Sequence, residues 1–216
     1  MDLHSLLISN MNPQSHFEIG YTPEIRWVKM LSEYLPKCGI TLCENPRVLN
    51  VGCGNNVKWN YLGVTLYLAD QGLGMPNYVG VDMEEGAFAE ARKALDGLVS
   101  FVAGDAQKLT EFLAGTYQLA ILEHPNFTTS PKGSKVWQKI LHETAKLLDV
   151  NGAIILTSFW LNDHMPAMVA VDRAGYEIVY NGRNKFPGKR FDTAENGELL
   201  QFDKYIIVAK KGASPE

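Results

Sequence analysis

The chain has 216 residues, 46% of them hydrophobic and 20% charged, and a net charge of −4 at neutral pH. This is the composition of one globular domain with an ample core, and it argues against a general nucleic-acid binder, which carries a basic excess. No apolar run reaches the roughly 18 to 20 residues needed to cross a bilayer.

The start, Met1–Ile8, has no basic stretch and only a short apolar run, so no signal peptide is expected and a cytoplasmic location is. Residues 1–20 are polar and mixed, an arm or lid that with the next helix makes a segment 1–40. Thr22-Pro23-Glu24 opens that helix with a capping residue, a proline at the first helical position and an acid in the first turn. Trp27, Met30, Leu31 and Leu35 then recur at helical spacing, and Pro36 to Gly39 stops the run. Cys38, Cys43 and Cys53 are odd in number and lack zinc-type spacing, so free thiols are the simplest reading.

Residues 41–211 read as one α/β domain, followed by a short tail, 212–216. Strands are predicted at Val48–Val51, Tyr78–Val81, Val99–Val102, Leu119–Leu122, Ala153–Thr157, Tyr176–Tyr180 and Tyr205–Ala209. Helices are predicted at Lys58–Leu68, Glu85–Leu95, Lys135–Leu148 and His164–Ala174, with Asn151-Gly152 closing one of them. Such alternation implies a mostly parallel, seven-stranded, doubly wound sheet with helices on both faces. No helix separates the last two strands, which predicts an antiparallel edge strand.

In such a sheet ligands bind beyond the carboxyl ends of the strands. The first predicted strand runs into Gly52-Cys53-Gly54, a turn that bends sharply and exposes backbone N–H groups before the next helix. Asp82 follows the second strand, Asp105 the third, and Glu123-His124-Pro125-Asn126 the fourth. A carboxylate after the second strand suits ribose hydroxyls, and its neighbour an exocyclic amine. A third glycine is missing, since Val57 stands there, and there is no phosphate-binding Gly-Lys-Ser/Thr loop. The rim suits a cationic nucleoside better than a polyphosphate.

The ordered series Val48–Asn56, Tyr78–Met83, Val102–Ala106, Tyr117–Asn126 and Leu147–Thr157 resembles the class I S-adenosylmethionine-dependent methyltransferases, which are Rossmann-like α/β proteins. The resemblance implies S-adenosylmethionine as cofactor, S-adenosylhomocysteine as product, and an unidentified methyl acceptor, either a small molecule or an exposed macromolecular group. It implies that Gly52, Cys53 and Gly54 pass near the methionyl group and that Asp82 binds the ribose diol. Met83 would pack on adenine, Asp105 and the Ala106 N–H would meet its edge, and Glu123 and His124 would lie near the sulfonium and the acceptor. Asn50 stands where the family often has an acid that contacts the methionyl ammonium. The residues 71–76 lengthen the path to the second strand, and a plain detour is favoured over a loop at the site.

His124 is the expected general base, with Glu123 beside it, because it directly follows the fourth strand and imidazole as a group suits proton transfer near neutral pH. Phe17, Tyr21, Asn126 and Arg183 are the candidate acceptor contacts. The basic run Asn181–Phe191 reads first as a solvated turn between edge strands, and nucleic acid is a possible but not favoured partner. Asp163, His164 and Asp172 form no metal set with the strand-end acids, so no metal is expected. Two other readings stay open: a methyltransferase-like binding or scaffold protein without turnover, suggested by Asn50, and a nicotinamide-dependent oxidoreductase.

Overall fold

The computed structural model describes residues 21–128 and 132–212. Nine strands are present among them: β1 (Arg47–Val51), β2 (Asn77–Asp82), β3 (Val99–Ala103), β4 (Tyr117–Glu123), β5 (Leu148–Ser158), β6 (Tyr176–Arg183), β7 (Arg190–Thr193), β8 (Leu199–Gln201) and β9 (Tyr205–Lys211). The helices are α1 (Pro23–Lys37), α2 (Val57–Asp70), α3 (Ala89–Ala94), α4 (Leu109–Phe112), α5 (Gly133–Leu147) and α6 (Leu161–Arg173). Seven strands form one sheet in the order β3-β2-β1-β4-β5-β9-β6.

Alternation along the strands builds two cores, because successive side chains leave opposite faces. Leu119, Ile121, Ala153, Ile155, Ile206 and Val208 face α1, α2 and α3. Ala120, Leu122, Ile154, Leu156, Ile207 and Ala209 face α5 and α6. Helix α1 belongs to the first core: Trp27, Met30, Leu31 and Leu35 are fully buried. It crosses α2 so closely at Gly63 that a Cβ there would lie 2.3 Å from the Trp27 Cβ. Thr22 does precede α1, but its side chain makes no capping bond; Pro23 starts the helix instead.

Three details differ from the sequence reading. The antiparallel strand is β9, and it lies inside the sheet, between β5 and β6, with the edge held by β6. Asn151 and Gly152 lie within β5, the preceding helix having ended at Leu147. In the basic run 181–191, β6 continues to Arg183 and β7 begins at Arg190, pairing with β8 in a separate antiparallel hairpin that the sequence did not suggest. Residues 71–76 precede β2 and so lie at the amino end of a parallel strand, opposite the strand ends that build the site, as a detour would.

Candidate active site

The turn after β1 has the expected shape. Gly52 and Gly54 both take left-handed backbone conformations, φ 67° and 47°, which an L side chain rarely adopts. The Gly54 N–H donates to Asp82 Oδ2 at 2.9 Å, tying the glycine turn to the end of β2. Cys53 is turned into the core, 3% exposed, and burial pushes its thiol up to about 12. Only its backbone is available to a ligand. Met83 is exposed. Asp105 caps the short helical turn that begins at Ala106, its Oδ1 accepting from the Gln107 N–H at 2.9 Å.

Leu119 and Ile121 of β4 face α1 and α2, so Glu123, next in that alternation, points to the same side of the sheet. There it accepts from Asn60 Nδ2 of α2 at 3.2 Å. Asn50 occupies the same face, fully buried, and donates to the Tyr78 hydroxyl at 3.1 Å. Its Oδ1, and that of Asn60, have no hydrogen-bond partner among the described residues. Burial pushes the Glu123 carboxyl up, and the Asp203 charge beside it pushes the same way, against the pull of His124 and Asn60.

His124 meets a residue the sequence did not single out. Its Nε2 lies 2.9 Å from Asp203 Oδ1 and 3.0 Å from the Asp203 backbone nitrogen. Asp203 is fully buried in the link between β8 and β9, and Arg26 of α1 reaches its Oδ2 at 2.8 Å. Burial alone would raise the Asp203 carboxyl, but His124 and Arg26 outweigh it and hold it at about 2. The His124 ring stacks on Phe159 with centroids 3.8 Å apart, and Phe202 lies at 5.7 Å. Glu123, His124 and Asp203 present potential ligand atoms within 4.8 Å of one another. This set differs from the Asp163, His164 and Asp172 group weighed in the sequence. Asp163 instead pins a loop, accepting from the Phe127 and Thr128 N–H groups and from Trp160.

The expected acceptor contacts are dispersed. Tyr21 packs edge-on to Phe186 and under the Lys29 ammonium. Asn126 is exposed beside buried Phe127. Arg183 ends β6 on the same rim, exposed and at the far edge of the sheet. Phe17 lies outside the described residues. Within the basic run, Lys185 is paired to Glu33, so that cation is committed within the protein.

The sequence matches a methyltransferase domain family over residues 49–156. The chain belongs to that family. No curated protein sequence matches it. Among solved structures, it resembles an S-adenosylmethionine-bound amino pentose methyltransferase, CalS10 of Micromonospora echinaspora, at TM-score 0.61 and 13% identity, covering 93% of this chain and 100% of that one. It also resembles a Methanosarcina mazei S-adenosylmethionine-dependent methyltransferase at TM-score 0.55 and 19% identity, covering 80% and 95%. A third likeness, TM-score 0.58 and 14% identity over 89% and 96%, is to the complex of the Haloferax volcanii Trm112 methyltransferase activator with a methyltransferase.

In this methyltransferase the glycine turn, Asp82, Asp105 and Glu123 follow the ends of four adjacent strands, β1 to β4, as expected from the sequence. What it did not supply is the second layer: Asn60, Arg26 and Asp203, which hold Glu123 and His124 from α2, α1 and the β8–β9 link. A basic residue on an amphipathic helix and an acid before the last strand carry no periodic signal. Only the fold brings them together.

Proposed function

We propose that this methyltransferase binds S-adenosylmethionine across the carboxyl ends of β1 to β4 and passes its methyl group to an acceptor entering beside His124. The bound sulfonium supplies an electrophilic methyl carbon. The chain's own work is to hold and align its ligands.

Gly52 and Gly54 let the backbone approach the methionyl part without a Cβ in the way. Asp82, anchored through one oxygen by the Gly54 N–H, accepts from ribose hydroxyls, and exposed Met83 lies against adenine. Asp105 and the Ala106 N–H meet the edge of the base. The partnerless Oδ1 atoms of Asn50 and Asn60, beside Glu123, suit an ammonium donor, so Asn50 serves as a neutral acceptor where relatives often place an acid. His124 is the base that takes a proton from the acceptor. Tyr21, Asn126, Arg183 and Phe17 lie on the segments from which acceptor contacts come.

The observation that carries this reading is the Gly54 to Asp82 hydrogen bond, which fixes a carboxylate beside two left-handed glycines. Calorimetry tests it. The protein should bind S-adenosylmethionine and ignore NAD, and Asp82→Ala should weaken binding by about 1.5 to 3 kcal/mol, the worth of hydrogen bonds to a charged group. Unchanged affinity in that variant would sink the assignment.

A further inference from the structure

We propose that Trp137 is a specificity-determining residue: its indole, laid against Gly52, holds the sulfonium charge of the cofactor and so separates S-adenosylmethionine from its neutral-sulfur product. The proposal deepens the proposed function and rests on its path for the methionyl group over the glycine turn.

The first observation is a contact across the sheet. A Cβ at Gly52 would lie 3.2 Å from the Trp137 ring carbon Cη2, whereas one at Gly54 would meet the Ala87 carbonyl oxygen, at 3.9 Å. Trp137 is therefore the side chain that stands against the first glycine of the turn. It comes from α5, packs at the margin of the core under α5 and α6, and stays only half-buried. A ring so placed is fixed along one side and keeps surface outside the core.

The second observation is what fixes it. The Phe127 ring lies 6.2 Å away, and Phe127 is itself buried and donates its N–H to Asp163. The start of α5 is pressed onto the same loop, since a Cβ at Gly133 would stand 2.8 Å from the Asn126 carbonyl oxygen. The loop after β4, the start of α5 and the glycine turn thus form one packed unit.

A methionyl group carries two cations. Its ammonium is matched on the α1–α2 side of the sheet by the partnerless Oδ1 atoms of Asn50 and Asn60. Trp137 reaches the turn from the α5–α6 side, which leaves it the sulfonium. An aromatic face attracts a cation through its ring quadrupole, and tryptophan does so best. Unlike a carboxylate, it offers no lone pair that could itself take the methyl group. On transfer the acceptor's lone pair bonds to the methyl carbon, the carbon–sulfur pair stays on sulfur, and sulfur becomes a neutral thioether. The attraction to the indole then fades. Trp137 therefore selects the charged cofactor and does not lower the barrier, which only contacts stronger in the transition state can do.

Calorimetry on the full chain with S-adenosylmethionine and with S-adenosylhomocysteine tests this. Trp137→Leu should weaken the first by about five- to ten-fold and the second by less than about two-fold, with Trp137→Phe between wild type and Leu. Equal losses for both ligands, or no loss for either, overturn the proposal, because packing alone would treat the two alike. Should the Leu variant fail to fold, the wild type decides: its Trp137 indole N–H signal in ¹⁵N spectra, assigned with Trp137→Phe, should shift differently with the two ligands. Identical shifts overturn the proposal. Failure of the wild type to bind either ligand overturns the proposed function, and this proposal with it.

Discussion

Arg26 and Glu123 show how a buried polar cluster can stabilise at one atom and strain at another. Arg26 is 7% exposed and its guanidinium is the cation beside a fully buried Asp203. Removing it leaves a buried carboxylate without its guanidinium counter-charge. Arg26→Ala is therefore expected to cost about 3 to 5 kcal/mol, the loss seen when one partner of a buried pair is deleted, read as a shift in the urea midpoint. Glu123 acts in the opposite sense. Burial and the neighbouring Asp203 charge raise its carboxyl above the ordinary 4.5, so the folded state disfavours its ionised form. Its contribution is favourable when protonated and is lost as pH rises through the raised value. Glu123→Gln keeps an acceptor for Asn60 and removes the charge, so its melting temperature should exceed wild type at neutral pH. Below about 4.5 the two proteins should converge. A variant less stable than wild type at neutral pH would show that the carboxylate is better paired than its surroundings indicate.

At the scale of elements, the seam between α1 and α2 is set by the lack of a side chain at Gly63. A Cβ there would stand 2.3 Å from the Trp27 Cβ and 2.9 Å from the Glu24 carbonyl oxygen. Alanine favours a helix by about 1 kcal/mol over glycine, but the clash is with backbone and a Cβ, neither of which can swing aside. Gly63→Ala should lose about 1 to 3 kcal/mol by overpacking, with the urea m-value unchanged; a stabilised variant would mean the helices part freely. This seam also marks where sequence reasoning ends. The sheet strands were legible because their apolar residues alternate or run together, and α1 was legible from Trp27, Met30, Leu31 and Leu35. Asp82, Asp105 and Glu123 were legible because each directly follows a strand. Arg26 was not, because nothing local tells a buried arginine from a solvated one on the same helix. The β7–β8 hairpin was missed because its strands are short and mostly exposed. It is held by contacts distant in sequence: Glu198 accepts from the Leu161 N–H at the start of α6, and Gln201 donates to the Phe159 carbonyl. The placing of β9 inside the sheet was likewise set by tertiary pairing.

Across the whole molecule, two buried carboxylates join layers that the sheet alone would leave independent. Asp203 links the β8–β9 connection to α1 on one face. On the other, Glu143 of α5 accepts from the Thr110 N–H and hydroxyl of α4 and pairs with Lys146. Burial would raise both acids, yet their partners prevail: Asp203 sits at about 2 against an ordinary 3.8, and Glu143 at about 2 against 4.5. A carboxyl depressed by folding gives stability that is complete above its unfolded value and lost as pH falls through its folded value. Glu143 should therefore begin to cost stability below about 4.5, Asp203 below about 3.8, and both should be spent near 2. Glu123, raised by folding, gains its protonated stability above about 4.5, before that fall begins. The urea midpoint measured down a pH series should decline mainly between about 4.5 and about 2. The pair Glu143→Gln and Asp203→Asn should start lower at neutral pH and decline less across that window. A wild-type midpoint that stayed level through it, or a variant that fell as steeply, would show that neither carboxylate carries the pH dependence.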